Sequence, residues 1–492
     1  MKNWLELDYV QTFQSLPSSL YSFVQPQGLS EPKLVVKSDA CAKLIGLDPD
    51  ILSDDTSLKV LSGQSILSNW KPLAMKYTGH QFGYYNPDLG DGRGLLLTQV
   101  QHQQTIWDLH LKGAGMTPYS RQGDGRAVLR SSIREFLCSE AMAALGIPST
   151  RALCVIDSSS PVYRETPETG ATILRVAKTH IRFGHFEYCS FTGQTDLLKT
   201  LCDHVIKHHF PTLLLNTTVN IYRDFFQEVV NRTAQLIAKW QAFGFNHGVM
   251  NTDNMSIIGD TFDFGPFAFL DDYDPKFICN HSDHQGRYAF NQQPDIANWN
   301  LAVLAQALLP LVEKDLLIPV LESYPKLFEQ AYYDLLSQKL GLLNQDESAQ
   351  SIIGHTLEMM KICKLDYTYF FRHLSQIHKD DTKHMLRNLC LDIAAFDKWF
   401  NAYESHLSLE GQPLNSEYDH KRVQRMNSVN PKYILRNYLA QEAITAAQQG
   451  NYQPVQTLHQ ILNKPFDEQI EFDDYAKLPP DWGKTLEISC SS

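Results

Sequence analysis

Lys112 and Glu135 are the first residues whose types and positions could do chemistry. Lys112 follows Leu109-His-Leu111, a short apolar stretch typical of a strand, and Glu135 lies beside the apolar face of a predicted amphipathic helix. A lysine at the end of a strand, paired with a helical glutamate, can hold the phosphates of ATP, as it does in kinases. Charged surface residues are common, so the pair alone also fits two unrelated side chains.

A second polar group runs from His247 to Gly265. His247-Gly-Val-Met-Asn-Thr-Asp-Asn254 precedes Phe262-Asp-Phe-Gly265. The kinase catalytic loop reads H-R-D-x-x-x-x-N before D-F-G, and aligning the histidines places Asn254 on the asparagine and Asp263 on the metal-binding aspartate. Both side chains offer the oxygen ligands that Mg²⁺ prefers. The alternative is that these residues only cap turns.

The same alignment puts Val249 where a kinase has its catalytic aspartate. The distance from this loop to D-F-G is also shorter than in ordinary protein kinases. Asp253 is therefore the carboxylate available to accept a proton from a substrate hydroxyl.

Two glycine-rich segments could contact phosphate. In Gly90-Asp-Gly-Arg-Gly94, alternating glycines would let backbone N–H groups approach phosphate oxygens, and Arg93 adds a charged donor. This segment fits a structural hairpin turn equally well. Arg121-Gln-Gly-Asp-Gly-Arg126 precedes the predicted helix, whose N-terminus could bind an anion.

Three further basic residues, Arg175, Lys178 and Arg182, lie in one stretch that follows these segments. If they point into the cleft, they would neutralise a triphosphate. The alternative is a solvated strand edge.

The surrounding patterns predict how these residues are positioned. Glycine-rich turns and short apolar runs indicate strands between Tyr77 and Ile156, interrupted by a helix that begins near Leu129 and stops at Gly146-Ile-Pro148. Helical periodicity dominates beyond about residue 295. We predict an α+β, protein-kinase-like two-lobed fold with a small β-rich lobe, a larger helical lobe and helical N- and C-terminal additions. The predicted units are residues 1–75 (N-terminal extension), 76–190 (nucleotide-binding lobe), 191–400 (catalytic and metal-binding lobe) and 401–492 (C-terminal extension).

Composition narrows the possible partners. The formal net charge of −12 argues against a broad nucleic-acid surface, and the composition is that of a globular protein. Residues 1–23 lack the features of a secretory or transit signal, and no apolar stretch is long enough to span a bilayer, so the expected location is the cytoplasm, with no membrane partner. The nine cysteines form no CxxC pair and are expected to be mostly buried thiols.

Several long stretches resemble the selenoprotein O family of protein adenylyltransferases, which have a pseudokinase fold. They are Tyr77-Thr-Gly-His-Gln-Phe-Gly83, Leu111-Lys-Gly-Ala-Gly-Met-Thr-Pro-Tyr-Ser-Arg121, His247 to Asn254, Gly286-Arg-Tyr288 with Gln293-Pro294, and Asn430-Pro431 with Arg436-Asn437. They span most of the chain.

The resemblance implies transfer of AMP from ATP to protein hydroxyls, with the nucleotide reversed relative to a kinase. It implies that Lys112, paired with Glu135, binds phosphate, that Asp253 accepts the proton, and that Asn254 and Asp263 are metal ligands. The nucleotide contacts it implies are Gly90, Gly92, Arg93, Lys112, Asp124, Gly125, Arg175, Arg182 and Asp263.

The chain departs from the selenium-containing members at its C-terminus. Some members carry selenocysteine third from the end, where this chain has Cys490. A selenium-dependent redox step is therefore not expected. A disulfide between Cys490 and Cys279, which lies shortly after D-F-G, is a further hypothesis because it could restrain the activation loop. The alternative is two unrelated thiols.

Together these features predict a protein nucleotidyltransferase that uses Mg²⁺ or Mn²⁺ to transfer AMP from ATP to Ser, Thr or Tyr hydroxyls and releases pyrophosphate. UTP as the donor stays open, as do the acceptor proteins and the oligomeric state. Two alternatives remain: a kinase that transfers the γ-phosphate, which Val249 disfavours, and an inactive ATP-binding pseudokinase scaffold, which the presence of Lys112, Glu135, Asn254 and Asp263 disfavours.

Overall fold

The computed structural model describes residues 1–215, 220–414 and 419–486. The fold is α+β, as predicted: a large antiparallel sheet occupies the first part of the chain and helices make up most of the rest. Within the described residues the main sheet has ten strands, with the central order β2-β4-β6-β7-β10-β9-β3. Strand β1 pairs with β6, β5 with β4, and β8 with β10, while β11 and β12 form a separate small ribbon. The strands are β1 (Tyr9–Val10), β2 (Tyr21–Phe23), β3 (Lys33–Lys37), β4 (Leu73–Gln81), β5 (Tyr84–Gly90), β6 (Gly94–His102), β7 (Thr105–Lys112), β8 (Ala127–Val128), β9 (Arg151–Tyr163), β10 (Pro167–Ala177), β11 (Phe245–Asn246) and β12 (Ala268–Phe269).

The central strands are buried on both faces because successive side chains of a strand point to opposite sides. In β6, Leu95 and Leu97 join one apolar cluster while Leu96 joins the other. The first cluster is closed by residues of the N-terminal segment, including Trp4 and Ile45. The sheet therefore lies between two cores.

The N-terminal segment differs from the helical addition that was predicted. Besides two short helices, α1 (Asp39–Leu44) and α2 (Asp55–Leu61), it contributes β1, β2 and β3 to the main sheet. The apolar run Leu34-Val-Val36 lies in β3 and pairs with β9. Its branched side chains gain more from packing in the sheet than from a helical turn.

Helix α3 lies on the second face of the sheet. Its apolar residues at helical spacing, among them Ile133 and Phe136, are fully buried. The helix ends at Ala144, and Gly146, which follows, has a positive φ of 74°. The start near Leu129 and the stop at Gly146-Ile-Pro148 are thus confirmed. The α-helices are α1 (Asp39–Leu44), α2 (Asp55–Leu61), α3 (Leu129–Ala144), α4 (Phe183–Phe191), α5 (Thr195–His209), α6 (Ile221–Ala242), α7 (Gln293–Leu308), α8 (Lys314–Glu322), α9 (Tyr324–Leu340), α10 (Glu347–Cys363), α11 (Tyr367–Leu374), α12 (Asp380–Asn388), α13 (Ile393–Leu409), α14 (Asp419–Val429), α15 (Asn437–Gln448), α16 (Gln453–Leu462) and α17 (Asp481–Lys484).

Long-range ion pairs tie the C-terminal helices to the rest. Arg436, from the Arg436-Asn437 motif, donates to both carboxylate oxygens of Asp366 at 2.7 and 3.0 Å. Asn430 donates to the Lys339 carbonyl at 2.8 Å. These motif residues therefore stabilise the packing of the C-terminal helices, and they do not line the cleft described below. Across the described part of the chain, no helix combines the length and the apolar character needed to cross a membrane.

Candidate active site

A cleft of about 830 Å³ opens where one end of the central strands β6, β7 and β10 meets the segment from His247 to Asn254, here called the catalytic loop. Most of the residues predicted to act on a nucleotide line it: Gly90, Gly92, Arg93, Lys112, Asp124, Gly125, Arg175, Arg182, Asp253, Asn254 and Asp263. Segments more than 100 positions apart thus converge on one volume, which is large enough for a nucleotide.

The floor of the cleft is a chain of buried ion pairs. Lys112 Nζ donates to Glu135 Oε2 at 2.6 Å, so the predicted pair exists. Arg175 Nε donates to the other oxygen of Glu135, and its Nη2 lies 3.0 Å from Asp263 Oδ1. Arg182 Nη1 donates to Asp263 Oδ2 at 2.6 Å. Neither arginine points to solvent, because both tie the sheet to the segment that carries Asp263.

Burial and neighbouring charge have opposite effects on the pKa values of these ion-paired side chains. Burial by itself would raise the pKa of Glu135, but Arg175 and Lys112 lower it to about 2. Burial lowers the pKa of Lys112 to about 8, because the attraction of Glu135 only partly offsets the loss of water. The pKa of Asp263 lies far below its ordinary range since Arg182, Arg175 and Lys112 outweigh its burial. Glu135 and Asp263 are therefore ionised at neutral pH, and the guanidinium groups of Arg175 and Arg182 lie against them.

Asp263 adopts an unusual backbone conformation, with φ of +60°. A non-glycine residue rarely occupies this left-handed region, and such strain collects at functional sites. The two arginine contacts hold the carboxylate in place. Arg182 also packs against the rings of Tyr77 and Phe262, 4.5 and 4.6 Å from their centroids.

Asp253 lies in a short 3₁₀ turn, Thr252–Asn254, and is buried. Its Oδ2 accepts a hydrogen bond from Gln81 Nε2 at 3.1 Å, while its buried Oδ1 has no hydrogen-bond partner. Burial raises the pKa of this carboxyl to about 7, and Arg182 opposes the shift. A carboxyl with one free oxygen and a pKa near neutrality suits a general base.

Val249, at the position of the kinase aspartate, also lines the cleft. Its carbonyl accepts a hydrogen bond from Asn254 Nδ2 at 3.0 Å. The amide oxygen of Asn254 is then the atom left for a ligand.

The segment Gly90-Asp-Gly-Arg-Gly94 forms the tight turn from β5 to β6 at the cleft rim. Asp91, which sequence reasoning missed, anchors it: Asp91 Oδ2 accepts from the Met75 backbone at 3.0 Å and lies 3.2 Å from His110 Nε2. A Cβ at Gly90 would lie 2.5 Å from the ring of Tyr119, so no larger residue fits. The segment is thus both a structural turn and a wall of the cleft. In the sequence, only the presence of an acidic residue inside a glycine-rich turn could have indicated this role of Asp91.

The second glycine-rich segment differs from its prediction. The two-residue strand β8, which pairs with Gly170 and Ala171 of β10, separates it from α3. The segment therefore crosses the cleft as a loop instead of opening into the helix N-terminus. Arg164 holds this loop through Asp124, with its Nη1 2.8 Å from Asp124 Oδ2.

The hairpin formed by β4 and β5 reaches the catalytic loop, which sequence reasoning did not anticipate. The His80 backbone N–H donates to Thr252 Oγ1 at 2.7 Å, and Gln81 contacts Asp253 as described above. Gly79 approaches so closely that a Cβ there would lie 3.0 Å from Asp253 Cβ. The motif Tyr77 to Gly83 is therefore explained by contact with the candidate base.

Three residues singled out in the sequence lie elsewhere. Lys178 is exposed and lines a separate groove with Arg232 and Asp260, so the solvated-edge alternative holds for it. Cys279 is buried behind the catalytic loop, where its Sγ lies 3.6 Å from the Asn246 carbonyl oxygen. Cys490 lies outside the described residues, so its pairing with Cys279 stays a prediction.

The residues of the cleft fit a divalent cation whose remaining ligands would come from a nucleotide. Within the described chain, no cluster of three or more His, Cys, Asp or Glu side chains forms a metal site. The cleft nevertheless presents the ionised carboxylate of Asp263 and the side chain of Asn254. Mg²⁺ is commonly bound by one or two carboxylates together with substrate phosphates, which such a sparse set matches.

Comparison with known proteins identifies the family of the chain. The family model described as protein adenylyltransferase SelO matches residues 3–463. The protein nucleotidyltransferases YdiU of Stutzerimonas stutzeri and Pseudomonas fluorescens are 52% and 51% identical to the chain, and each alignment covers 100% of both proteins. The YdiU protein of Vibrio parahaemolyticus is 50% identical over the same full coverage. The chain belongs to the SelO family of protein adenylyltransferases and is an enzyme of the nucleotidyltransferase class.

Proposed function

We propose that this enzyme transfers AMP from ATP to Ser, Thr or Tyr hydroxyls of other proteins and releases pyrophosphate. The observation that carries the proposal is Asp253: a buried carboxyl, one oxygen of which has no hydrogen-bond partner, lining the same cleft as Lys112 and Asp263. Membership of the adenylyltransferase family supports nucleotidyl over phosphoryl transfer. A kinase-like arrangement of lobes, with boundaries near residues 75, 190 and 400, and a cytoplasmic location belong to the same proposal.

In this mechanism, the Asp253 carboxyl accepts the proton of the acceptor hydroxyl as the hydroxyl oxygen attacks the α-phosphorus. The bond between the α-phosphorus and the bridging oxygen to the β-phosphate breaks, and pyrophosphate leaves. Lys112, Arg175 and Arg182 supply fixed positive charge beside the phosphates, which is worth most in a buried site. Gln81 donates to Asp253 Oδ2 and so fixes the orientation of the carboxyl.

Asn254 and Asp263 would hold Mg²⁺ or Mn²⁺ in this proposal. When bound, the cation would neutralise phosphate charge as a Lewis acid. Arg175 and Arg182 keep Asp263 ionised and fixed whether or not the cation is present, so the metal site would be preformed.

Labelled nucleotides test the proposal directly. The enzyme is incubated with a mixture of candidate acceptor proteins, Mg²⁺ or Mn²⁺, and ATP labelled at either the α- or the γ-phosphate. Retention of the α-label alone, lost in Asp263→Ala and Asp253→Asn, is the expected result. Retention of the γ-label would instead establish a kinase, and retention of neither would favour an inactive scaffold. Unlabelled UTP, added as a competitor, shows whether it shares the site.

A matched control keeps the test specific. Asp260 is a mostly buried aspartate outside the cleft, and burial raises its pKa to about 6. Asp260→Asn therefore removes a similar carboxyl and should retain α-label transfer.

A further inference from the structure

A group of exposed aromatic side chains surrounds the tip of the β4–β5 hairpin. Phe82, Tyr84, Tyr85 and Phe191 are 40%, 81%, 38% and 41% exposed. Tyr85 and Phe191 touch, with ring centroids 4.8 Å apart, so at least these two form a continuous surface. Singly scattered apolar residues are ordinary on a protein surface, but several together mark interaction sites. We call these four residues, with Arg287, the hairpin-tip patch.

The patch begins one residue from the contact to the candidate base. Gln81 donates to Asp253, and the next backbone N–H, that of Phe82, donates to Asn251 Oδ1 at 3.2 Å and to the Tyr288 hydroxyl at 3.0 Å. Phe82 has a positive φ of 51°, which these contacts hold in place. The hairpin tip is thus attached to the catalytic loop, and a group bound on it lies beside Asp253.

Arg287 brings positive charge to the patch. Its guanidinium stacks on Trp299, 4.9 Å from the ring centroid, and lies close to Gly83. It forms no ion pair with any residue that the structure describes, and its buried Nε has no hydrogen-bond partner. A partly buried arginine without a carboxylate, next to exposed aromatic rings, is complementary to an acidic and apolar ligand.

We propose that the hairpin-tip patch is the docking surface for the acceptor polypeptide, and that it selects an acidic residue and an apolar residue near the modified hydroxyl. The inference rests on the proposed function. A hydroxyl that reaches Asp253 brings its neighbouring residues toward the surface beside the catalytic loop, where the hairpin tip is attached. Arg287 binds the acidic side chain, and Phe82 and Tyr84 pack against the apolar one. The Gly286-Arg-Tyr288 motif thereby gains a role in choosing the substrate.

A charge reversal tests this surface. The probe is a peptide library with one central Ser, Thr or Tyr and varied flanking residues, incubated with enzyme, Mg²⁺ and α-labelled ATP. The wild-type enzyme should favour Glu or Asp over Lys at one flanking position by about tenfold, the effect of roughly one charge-assisted hydrogen bond. Arg287→Glu should invert that preference toward Lys. A variant that only loosened the fold would lose rate without changing its preference.

Three further variants complete the design. Arg287→Gln should abolish the acidic preference without inverting it, and it serves if Arg287→Glu does not fold. Tyr84→Ser should lower kcat/KM for peptides but leave the Kd for ATP unchanged. Lys421→Glu makes the same charge reversal at an exposed position on α14, outside the cleft, and should keep the wild-type preference.

The possible failures are distinguishable. If wild-type enzyme labels peptides without flanking preference, or if Arg287→Glu keeps the wild-type preference, the docking surface is wrong and the proposed function stands. If wild-type enzyme transfers no α-label to any acceptor, the proposed function falls and the docking surface with it.

Discussion

Replacing Glu135 by Gln most directly tests the charge chain, the buried ion pairs that run from Lys112 through Glu135 and Arg175 to Asp263. The change keeps the shape of the side chain but removes the charge that Lys112 Nζ contacts at 2.6 Å and that Arg175 also contacts. A hydrogen bond to a charged group is worth about 1.5–3 kcal/mol, so poorer positioning of Lys112 should lower kcat/KM by about 100-fold, which corresponds to about 2.7 kcal/mol. Breaking a buried ion pair should also cost about 3–5 kcal/mol of stability.

The variant should also respond differently to pH. In the wild-type enzyme, the attraction of Glu135 partly offsets the burial that lowers the pKa of Lys112 to about 8. Without that charge the pKa falls further, so Lys112 loses its proton within the neutral range. The ratio of Glu135→Gln to wild-type activity should therefore rise as the pH is lowered from 8.5 to 6.5, because the lysine regains its charge.

Glu140 provides the matched control on the same helix. It is fully buried and pairs with Arg151 at 2.6 Å. Unlike the partners of Glu135, its partners Ser38, Arg151 and Ala152 do not line the cleft. Glu140→Gln should therefore lose stability comparably while keeping kcat/KM at saturating metal. The assay is steady-state α-label transfer, with denaturant unfolding of both variants. Equal activity in the two variants, or a Glu135→Gln activity ratio that does not change with pH, would refute the role of the charge chain.

Three further predictions concern separate residues. The kcat/KM of the wild-type enzyme reports groups of the free enzyme. It should rise about tenfold per pH unit below pH 7 as Asp253 loses its proton, and fall again above about pH 8 as Lys112 loses its own. Asp253→Asn should be at least about 100-fold slower throughout, and a wild-type rate independent of pH contradicts this. Lys339 is buried against the rings of Phe243 and Phe371, and burial lowers its pKa to about 7. An unfolded lysine has a pKa near 10.4, so between these two pH values the unfolded state binds one proton more than the folded state. The free energy of unfolding therefore rises with pH over this range. Lys339→Met should be more stable than wild type at pH 7, by a margin that shrinks at pH 9 in denaturant unfolding; a constant margin is the contrary result. Gly125 has φ of +68°, and a Cβ there would lie 2.0 Å from the Gly115 carbonyl oxygen. Gly125→Ala should therefore displace the loop and weaken ATP binding by about tenfold, as measured by calorimetry. In the control Gly123→Ala, the new Cβ would lie 3.1 Å from its nearest neighbour, the Ser120 carbonyl oxygen, and ATP binding should change much less.

The sequence by itself determined what depends on local spacing and residue type. The helix from Leu129, its stop at Gly146 and the strand that ends at Lys112 follow from periodicity and turn residues, and the structure has them. The Lys112–Glu135 pair was also predictable, because a known arrangement of strand and helix places those two types together. The glycine-rich turn at Gly90 could be located, although not its dependence on Asp91.

Only the tertiary structure decided the contacts between distant segments. Gln81 and Asp253 are separated by 172 residues, and nothing in the local pattern of either segment signals that they meet. Arg175 and Lys178 looked alike in the sequence, but only Arg175 faces the cleft, because side chains along a strand alternate and Lys178 lies beyond the end of β10. The pKa values depend on the same packing, since burial and neighbouring charge exist only once the chain has folded.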